Sequence, residues 1–370
     1  MIINFFSDFC FPGGIPVHQG ILAERLHTLF GHTVRVCVPW PLLYDVKEHK
    51  QLIEEAFRDN TLEQMFFGLK YLERIETRQQ LNEIIQNADI NHFHGSFSTN
   101  RKFLGEAIYA STEKQKNIYT FHSEAVNPKC ESDISELRKR ISNINIICGV
   151  SRNVQKAVKS IFPKRDIIIT DNGYSVAAND DCPVSSDRPF TILYIARLNK
   201  SKGIENVIKL AEDIKGADIR LIIVGHAEFD KIYDVKMNSF IGISNLIWIK
   251  ESLPYNKVLD LYKCADIFYF PSHMEGRPLV VLDAIANGCI PIVSKVGSLD
   301  DIIVDGKNGY LFDFDDYKNQ YETIITLYKN PKLLHELKKN VLITHLTSWD
   351  ETAGKLDMIY RSICNAENLS

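Results

Sequence analysis

No stretch of this 370-residue chain approaches the ~18 consecutive apolar residues that a membrane-crossing helix needs, so helical membrane spans are not expected. The N-terminus lacks a basic stretch followed by a long apolar run. Strand-like Ile2-Ile-Asn-Phe-Phe6 begins at once, so we expect no signal peptide and a cytoplasmic location. Cysteine pairs are also missing. Cys10, Cys37, Cys130, Cys148, Cys182, Cys264, Cys289 and Cys364 form no CxxC, and buried reduced thiols are expected rather than zinc or disulfides. There is no GxGxxG fingerprint, which counts against a nicotinamide enzyme, and no HExxH or similar zinc motif. An excess of one charge is absent too. With 43 Lys or Arg against 47 Asp or Glu, the net charge of −4 supplies no global reason to bind nucleic acid.

The composition, 45% apolar and 24% charged, is that of a globular protein, and the length is too great for one ordinary core. Short apolar runs alternate with helical patterns, which implies parallel sheets covered by helices on both faces. Strands are expected near 1–6, 33–39, 88–94, 117–121, 145–150 and 166–170. A second series follows near 190–196, 219–225, 245–249, 266–270, 290–294 and 309–312. Between them, residues 173–189 are rich in turn formers and read as an interdomain loop. Residues 40–85 read as a mostly helical elaboration. The expected architecture is α/β: two doubly wound, Rossmann-like domains, 1–172 and 173–346, facing a cleft. Ligands in such sheets gather at the carboxyl ends of strands.

The most informative segment is Phe270-Pro-Ser-His-Met-Glu275-Gly-Arg-Pro-Leu279 through Asp283 to Gly288. It reads as a buried strand, a polar turn and a helix, with Pro278 at the first helical position and Gly288 as the stop. Glu275 lies in the turn. Asp283 lies inside the apolar helix, where an unpaired charge would be costly. The amides of Gly276, Arg277 and Leu279 form an anion site at a helix N-terminus. A carboxylate beside an anion site suits a ligand with both hydroxyls and phosphate, such as a nucleotide sugar. Arg197 lies just past another buried strand and Lys202 where the next helix begins, placed for a phosphate. On their own they fit a solvated basic loop almost as well. In the first half, the first strand runs into Phe11-Pro-Gly-Gly-Ile-Pro-Val-His18, with a helix expected from near Gln19. His94 and His122 end two strands, and such equivalent positions lean functional, with His18 on the same rim.

Together these segments resemble the family-4 retaining glycosyltransferases of the GT-B fold, over nearly the whole chain. The specific parts are Ala196-Arg-Leu-Asn-Lys-Ser-Lys202-Gly203, Ala265-Asp-Ile-Phe-Tyr-Phe-Pro-Ser272, and Glu275 with Asp283 eight positions on. Asp171-Asn172-Gly173, Gly297 and Asp305-Gly-Lys-Asn-Gly309 add support. The resemblance implies that Arg197 and Lys202 clamp a donor diphosphate and that Glu275 sits beside the donor sugar with the 276–279 amides. It implies that Asp283 holds the ribose and that Gly14 lets a loop close on the donor. It also places His122 near the reacting sugar and acceptor, with His94 and His18 on the acceptor side, and makes residues 347–370 a final helix returning to the first domain. Three departures stand out. Asp283 replaces the usual Glu, Ala196 replaces a glycine, and Arg277 replaces an apolar residue, either as an added cation near the donor or, marginally favoured, as a solvated side chain.

The resulting expectation is a metal-independent hexosyltransferase needing no cofactor. A nucleotide-sugar donor, UDP preferred to GDP on prior alone, reacts on its front face with a glycan or lipid-linked glycan acceptor. No acidic pair lies in a turn suited to a metal: Asp180-Asp181 falls in the linker, and Asp300-Asp301 and Asp315-Asp316 read as helix starts. Residues 101–165 hold 13 Lys or Arg against 6 Asp or Glu, seven positive charges in excess, which suits peripheral docking on anionic lipid as well as it suits solvated helix faces. The rival readings are a GT-B nucleotide-sugar epimerase and a catalytically silent donor- or glycan-binding subunit.

Overall fold

Runs such as Ile267–Phe270, buried along their whole length, have no polar face to turn to water, and this is the signature of strands covered on both sides. The structure, a computed structural model, describes residues 1–7, 13–39, 71–96, 102–124, 131–178, 188–226, 231–238, 243, 245–250 and 253–365. The chain divides into two units, Met1–Gly173 with Thr347–Ser370, and Tyr174–Leu346. Each holds one parallel sheet with intervening helices.

In the first unit the strands are β1 (Ile2–Phe6), β2 (Thr33–Pro39), β3 (Leu72–Ile75), β4 (Ile90–Gly95), β5 (Asn117–Phe121), β6 (Ile146–Gly149) and β7 (Ile167–Ile169), ordered 3-2-1-4-5-6-7. β3 is a strand that the sequence reading of 40–85 as mostly helical did not place, beside the helix Arg78–Gln86. Its four residues are too few to show a period, and only 71–85 of that stretch is described. The order reverses between β1 and β4, whose Phe6 and Phe93 are partners, so the carboxyl ends of these strands adjoin. Helix Gly14–Phe30 begins five residues before the expected Gln19. Pro16 is tolerated there because the first-turn amides have no intrahelical acceptor to lose.

Helix Arg152–Ile161 shows the local logic of the helical layers. The Ser151 hydroxyl accepts from the Val154 amide as N-cap, and Val154, Val158 and Ile161 form the buried stripe. Helix Trp349–Asn365 belongs to this first unit. It is fastened by His32 Nε2 to Asp357 at 2.7 Å, by the Tyr360 hydroxyl to His92 Nδ1 at 2.7 Å, and by the Thr352 hydroxyl donating to the Asp171 carbonyl at 2.8 Å.

The second unit comprises β8 (Phe190–Ile195), β9 (Ile219–Val224), β10 (Leu246–Ile249), β11 (Ile267–Phe270), β12 (Ile290–Ser294) and β13 (Tyr310–Phe312), ordered 10-9-8-11-12-13, with its reversal between β8 and β11. The amino ends of those two strands are joined by buried Asp266. It accepts two bonds from Arg188 at 2.7 and 2.8 Å, one from Lys338 at 2.6 Å and one from the Thr191 amide at 2.9 Å. Burial alone would raise the pKa of Asp266, yet these partners hold it below the ordinary carboxylate range. Cys37, Cys148 and Cys289 are buried free thiols, with the last two pushed up to about 12 by burial. Cys264 departs from the reduced expectation, being disulfide-bonded. Disulfides depend on proximity in space, which spacing along the chain does not report.

Gly203, between the Lys200–Lys202 turn that follows β8 and the next helix, has φ 72, and an added Cβ would fall 2.0 Å from the Pro271 carbonyl oxygen. Gly216 has φ 81 but open space around it. Gly216→Ala should therefore cost only the left-handed penalty, roughly 1–2 kcal/mol. Gly203→Ala should cost clearly more, because backbone must also move. Urea unfolding of both variants checks the order; equal losses would mean that the close approach carries no energy.

Candidate active site

Adjacency of β8 and β11, paired through Ile192 and Ile267, sets two loops side by side at the carboxyl edge of the second sheet. After β8, the Asn199 side chain caps a short 3-10 turn, Lys200–Lys202, by accepting from the Lys202 amide at 3.1 Å. Gly203 then lets the chain enter helix Ile204–Asp213. After β11, the His273 amide donates to the Ser201 carbonyl at 2.9 Å, and the buried Ser272 hydroxyl lies 3.1 Å from the same carbonyl. These bonds fix the two loops against each other.

Across them Lys202 Nζ meets Glu275 Oε1 at 2.6 Å, with side-chain exposures of only 19% and 13%. Ser272 Oγ is 2.8 Å from the same oxygen, and the Tyr194 hydroxyl donates to the Lys202 carbonyl at 3.1 Å. Burial, with Glu275 adding a smaller effect, pushes the Tyr194 phenol up, so it remains a donor. Arg197 is exposed on the loop that leads from β8 to this pair. Glu275 is roofed by the 297–298 turn: a Cβ on Gly297 (φ 60) would lie 2.8 Å from Pro278 Cδ and 3.2 Å from Glu275 Cβ.

Arg277 is half-buried and donates to the Ser298 carbonyl at 2.8 Å, which corrects the marginal preference for a merely solvated side chain. Its acceptor belongs to a strained residue. Ser298 (φ 56) is the one non-glycine at positive φ among the described residues. Pro278 proves to be the N-cap rather than the first helical residue, since its ψ of 111 is extended. Leu279 opens the helix, whose first internal bond is from the Val281 amide to the Pro278 carbonyl. The earlier amides, that of Leu279 among them, are outside the helical ladder, and Gly276 is buried in the turn before it.

Asp283 goes elsewhere. Its Oδ1 accepts from the Ser175 amide at 2.8 Å and its Oδ2 from the Tyr255 hydroxyl at 2.7 Å. Asn287, one helical turn on, accepts from the Ala177 amide and donates to the Ser175 carbonyl, so residues 175–177 are pinned to this helix twice. Burial raises the Asp283 carboxyl to about 7, and the same burial pushes the Tyr255 phenol up. The structure thus joins Lys202 with Glu275, and Asp283 with Ser175 and Tyr255.

In the first unit, the sheet reversal collects the histidines. His18 comes from the helix after β1, His94 from the end of β4, and His122 from just past β5. His94 Nδ1 and His122 Nε2 are 3.0 Å apart. The His18 ring lies 5.4 Å from that of His94 and 4.7 Å from that of His122, centroid to centroid. His18 Nδ1 is 2.9 Å from Asn172 Oδ1, and its ring meets the edge of Trp349 at 5.4 Å. Burial lowers His18 to about 4, offset in part by Asn172, and takes His94 well below its usual range. Gly14 is exposed in the first turn of its helix, while residues 8–12 before it fall outside the described set. Of the basic stretch, Arg138 and Arg165 are tied to backbone carbonyls of Ile161 and Ile144, whereas Arg152, Lys156 and Lys159 are exposed on one helix.

Sequence reasoning missed Ser272, Tyr255 and Ser175. Ser272 carried a signal, standing three residues before Glu275 in the turn. The other two carried none, since Ser175 lies 108 positions and Tyr255 28 positions from Asp283.

Residues 179–342 match the model of the family described as glycosyl transferases group 1. Among curated proteins, the chain is 25% identical to the phosphatidylinositol N-acetylglucosaminyltransferase gpi3 subunit of Schizosaccharomyces pombe, an alignment covering 98% of this chain and 81% of that protein. It is 23% identical to a glycogen synthase of Bacillus cytotoxicus, covering 85% and 69%. Among solved structures, sucrose-phosphate synthase from Thermosynechococcus elongatus superposes with a TM-score of 0.71 at 18% identity over 99% of each chain. Anabaena HepE in complex with UDP and glucose does so with 0.74 at 14% identity, covering 98% of this chain and 100% of that one. At such identities these structures establish the fold, which is GT-B.

Because the Asp283 carboxyl titrates near 7 in the folded chain against 3.8 in a free side chain, the folded state holds a proton that the unfolded state has lost between those values. Stability contributed by this group is therefore full below about pH 4 and falls as pH rises to about 7. Asp283→Asn removes the titration. Relative to the variant, the wild type should lose on the order of 4 kcal/mol across that window. Urea midpoints measured from pH 4 to 8 check this; parallel curves for the two proteins would show that Asp283 is ionised throughout.

Proposed function

The chain is a glycosyltransferase with a group 1 domain on a GT-B fold, and on that premise we propose that it transfers a hexose-type sugar from a UDP-sugar to a glycan or lipid-linked glycan, retaining the anomeric configuration and using no metal at the donor phosphates. The observation that carries this reading is the Lys202–Glu275 pair, held at 2.6 Å where the β8 and β11 loops meet. A cation and a carboxylate fixed side by side next to a helix N-terminus match the two ends of a sugar diphosphate.

Departure of the nucleoside diphosphate builds negative charge on its phosphate oxygens and positive charge at the sugar. Lys202, released from Glu275, and Arg197 stabilise the phosphate, and the first-turn amides at Leu279 add fixed dipoles. Glu275 then accepts from sugar hydroxyls, with Ser272 and the Gly297 turn holding its carboxylate in place. Fixed cations supply the charge that a divalent metal would otherwise supply. Front-face attack, with the leaving phosphate taking the acceptor proton, suits a sheet edge where Glu275 is committed to hydroxyls. His122, with His94 and His18 behind it, contributes the acceptor-side polar surface. The two oxygens of Asp283 already have donors in its own chain, so ribose binding there rests on the remaining lone pairs of each oxygen. The exposed row of Arg152, Lys156 and Lys159 supports peripheral docking on an anionic membrane.

Thermal-shift titration with UDP, GDP, ADP and their sugar conjugates, with EDTA present, tests the donor. Uridine ligands at a hundred times their dissociation constant should add about 2.7 kcal/mol of stability, and Arg197→Ala or Lys202→Ala should abolish the shift. Turnover in either variant should drop about 100- to 1000-fold, or about 3–4 kcal/mol. Stabilisation by guanosine nucleotides alone, or only with added metal, overturns the donor assignment, and an inverted product overturns the mechanism. Sedimentation with anionic vesicles at low salt should carry the protein down; protein that stays in the supernatant excludes the docking row.

A further inference from the structure

We propose that His18, His94 and His122 form a three-imidazole binding site for a borderline divalent transition-metal ion of the zinc class. The three residues each offer one ring nitrogen, and these nitrogens lie within 4.8 Å of one another. Tetrahedral zinc with Zn–N bonds of about 2.0–2.1 Å requires nitrogens about 3.3 Å apart. His94 Nδ1 and His122 Nε2, now 3.0 Å apart, need to part by only a few tenths of an ångström. His18 approaches from the neighbouring helix, its ring 4.7 Å from that of His122.

The orientation of His18 favours ligation. An amide oxygen can only accept, so Asn172 Oδ1 fixes the proton of His18 on Nδ1 and leaves the Nε2 lone pair available. This is the outer-shell bond that metal-binding histidines ordinarily make. His94 turns Nδ1 toward His122, and its Nε2 is the nitrogen that carries the proton when Nδ1 ligates. Neighbouring His92 has both nitrogens engaged already, with Tyr360 and Thr120 each at 2.7 Å. His92 stacks on His94 at 4.1 Å and forms a wall of the site rather than a ligand.

The proton now shared between His94 Nδ1 and His122 Nε2 must move to the far nitrogen of the ring that holds it, so two neutral rings can ligate without releasing a proton. Neutral nitrogens with no carboxylate in the set select zinc, copper, nickel or cobalt over magnesium, calcium or manganese. His122 is the half-buried member of the three.

The test uses the full chain after chelator treatment, titrated with zinc against a chromophoric competitor and separately with cobalt. One zinc per chain and the intense visible bands of four-coordinate cobalt are expected. Asn172→Ala should weaken zinc binding about 10- to 100-fold, and His122→Ala or His18→Gln by more, with circular dichroism verifying that each is folded. No stoichiometric zinc, a pale six-coordinate cobalt spectrum, or undiminished affinity in folded His122→Ala or His18→Gln overturns the proposal. Should those variants fail to fold, the wild-type cobalt spectrum decides. None of these readouts depends on sugar transfer, so the site stands or falls apart from the proposed activity.

Discussion

Parallel pairing is the constraint from which both sites follow. Strands that all run one way must end on one edge of their sheet, and each next helix must begin there. Where strand order reverses, two neighbouring strands send their connections to opposite faces, so nothing fills the gap between them. That happens between β1 and β4 and again between β8 and β11. The histidine group occupies the first gap and the Lys202–Glu275 pair the second. Neither is an accident of loop conformation, because strand register fixes where each loop starts.

Within the second unit the carboxylates have been given opposite environments. Glu275 keeps a cation and a hydroxyl beside it, Lys202 from the turn after β8 and Ser272 from the loop after β11. Asp266 is locked by two cations and an amide at the amino edge, where it serves the sheet alone. Asp283 is buried against a hydroxyl and an amide, and burial shifts it toward the neutral form. Three acids within one unit thus differ by whether their charge is compensated, and that difference separates chemistry from architecture.

Much of the fold was legible because parallel strands and amphipathic helices write their periods directly into residues such as Ile267–Phe270 or Val154, Val158 and Ile161. β3 was not, since four residues with a half-buried pattern carry no period. At the candidate sites the residue types were legible and their meetings were not. Lys202 and Glu275 stand 73 positions apart, and only the adjacency of β8 and β11 joins them. Asp283 was correctly suspect as a charge in an apolar helix, but its partners come from a linker and another helix, which local pattern does not encode. Cys264 shows the same limit for disulfides.

The return of residues 349–365 to the first unit sets an order of assembly. Synthesis completes the whole second unit before that helix has left the ribosome. Until then His32 lacks Asp357, His92 lacks Tyr360, and the Asp171 turn lacks Thr352. The unit made first is therefore the last to finish folding, waiting some seconds at about 5–20 residues per second while its neighbour is translated. Its unfinished face is a surface that chaperones can recognise, and the arrangement makes the nascent chain most vulnerable in the half that holds the histidines.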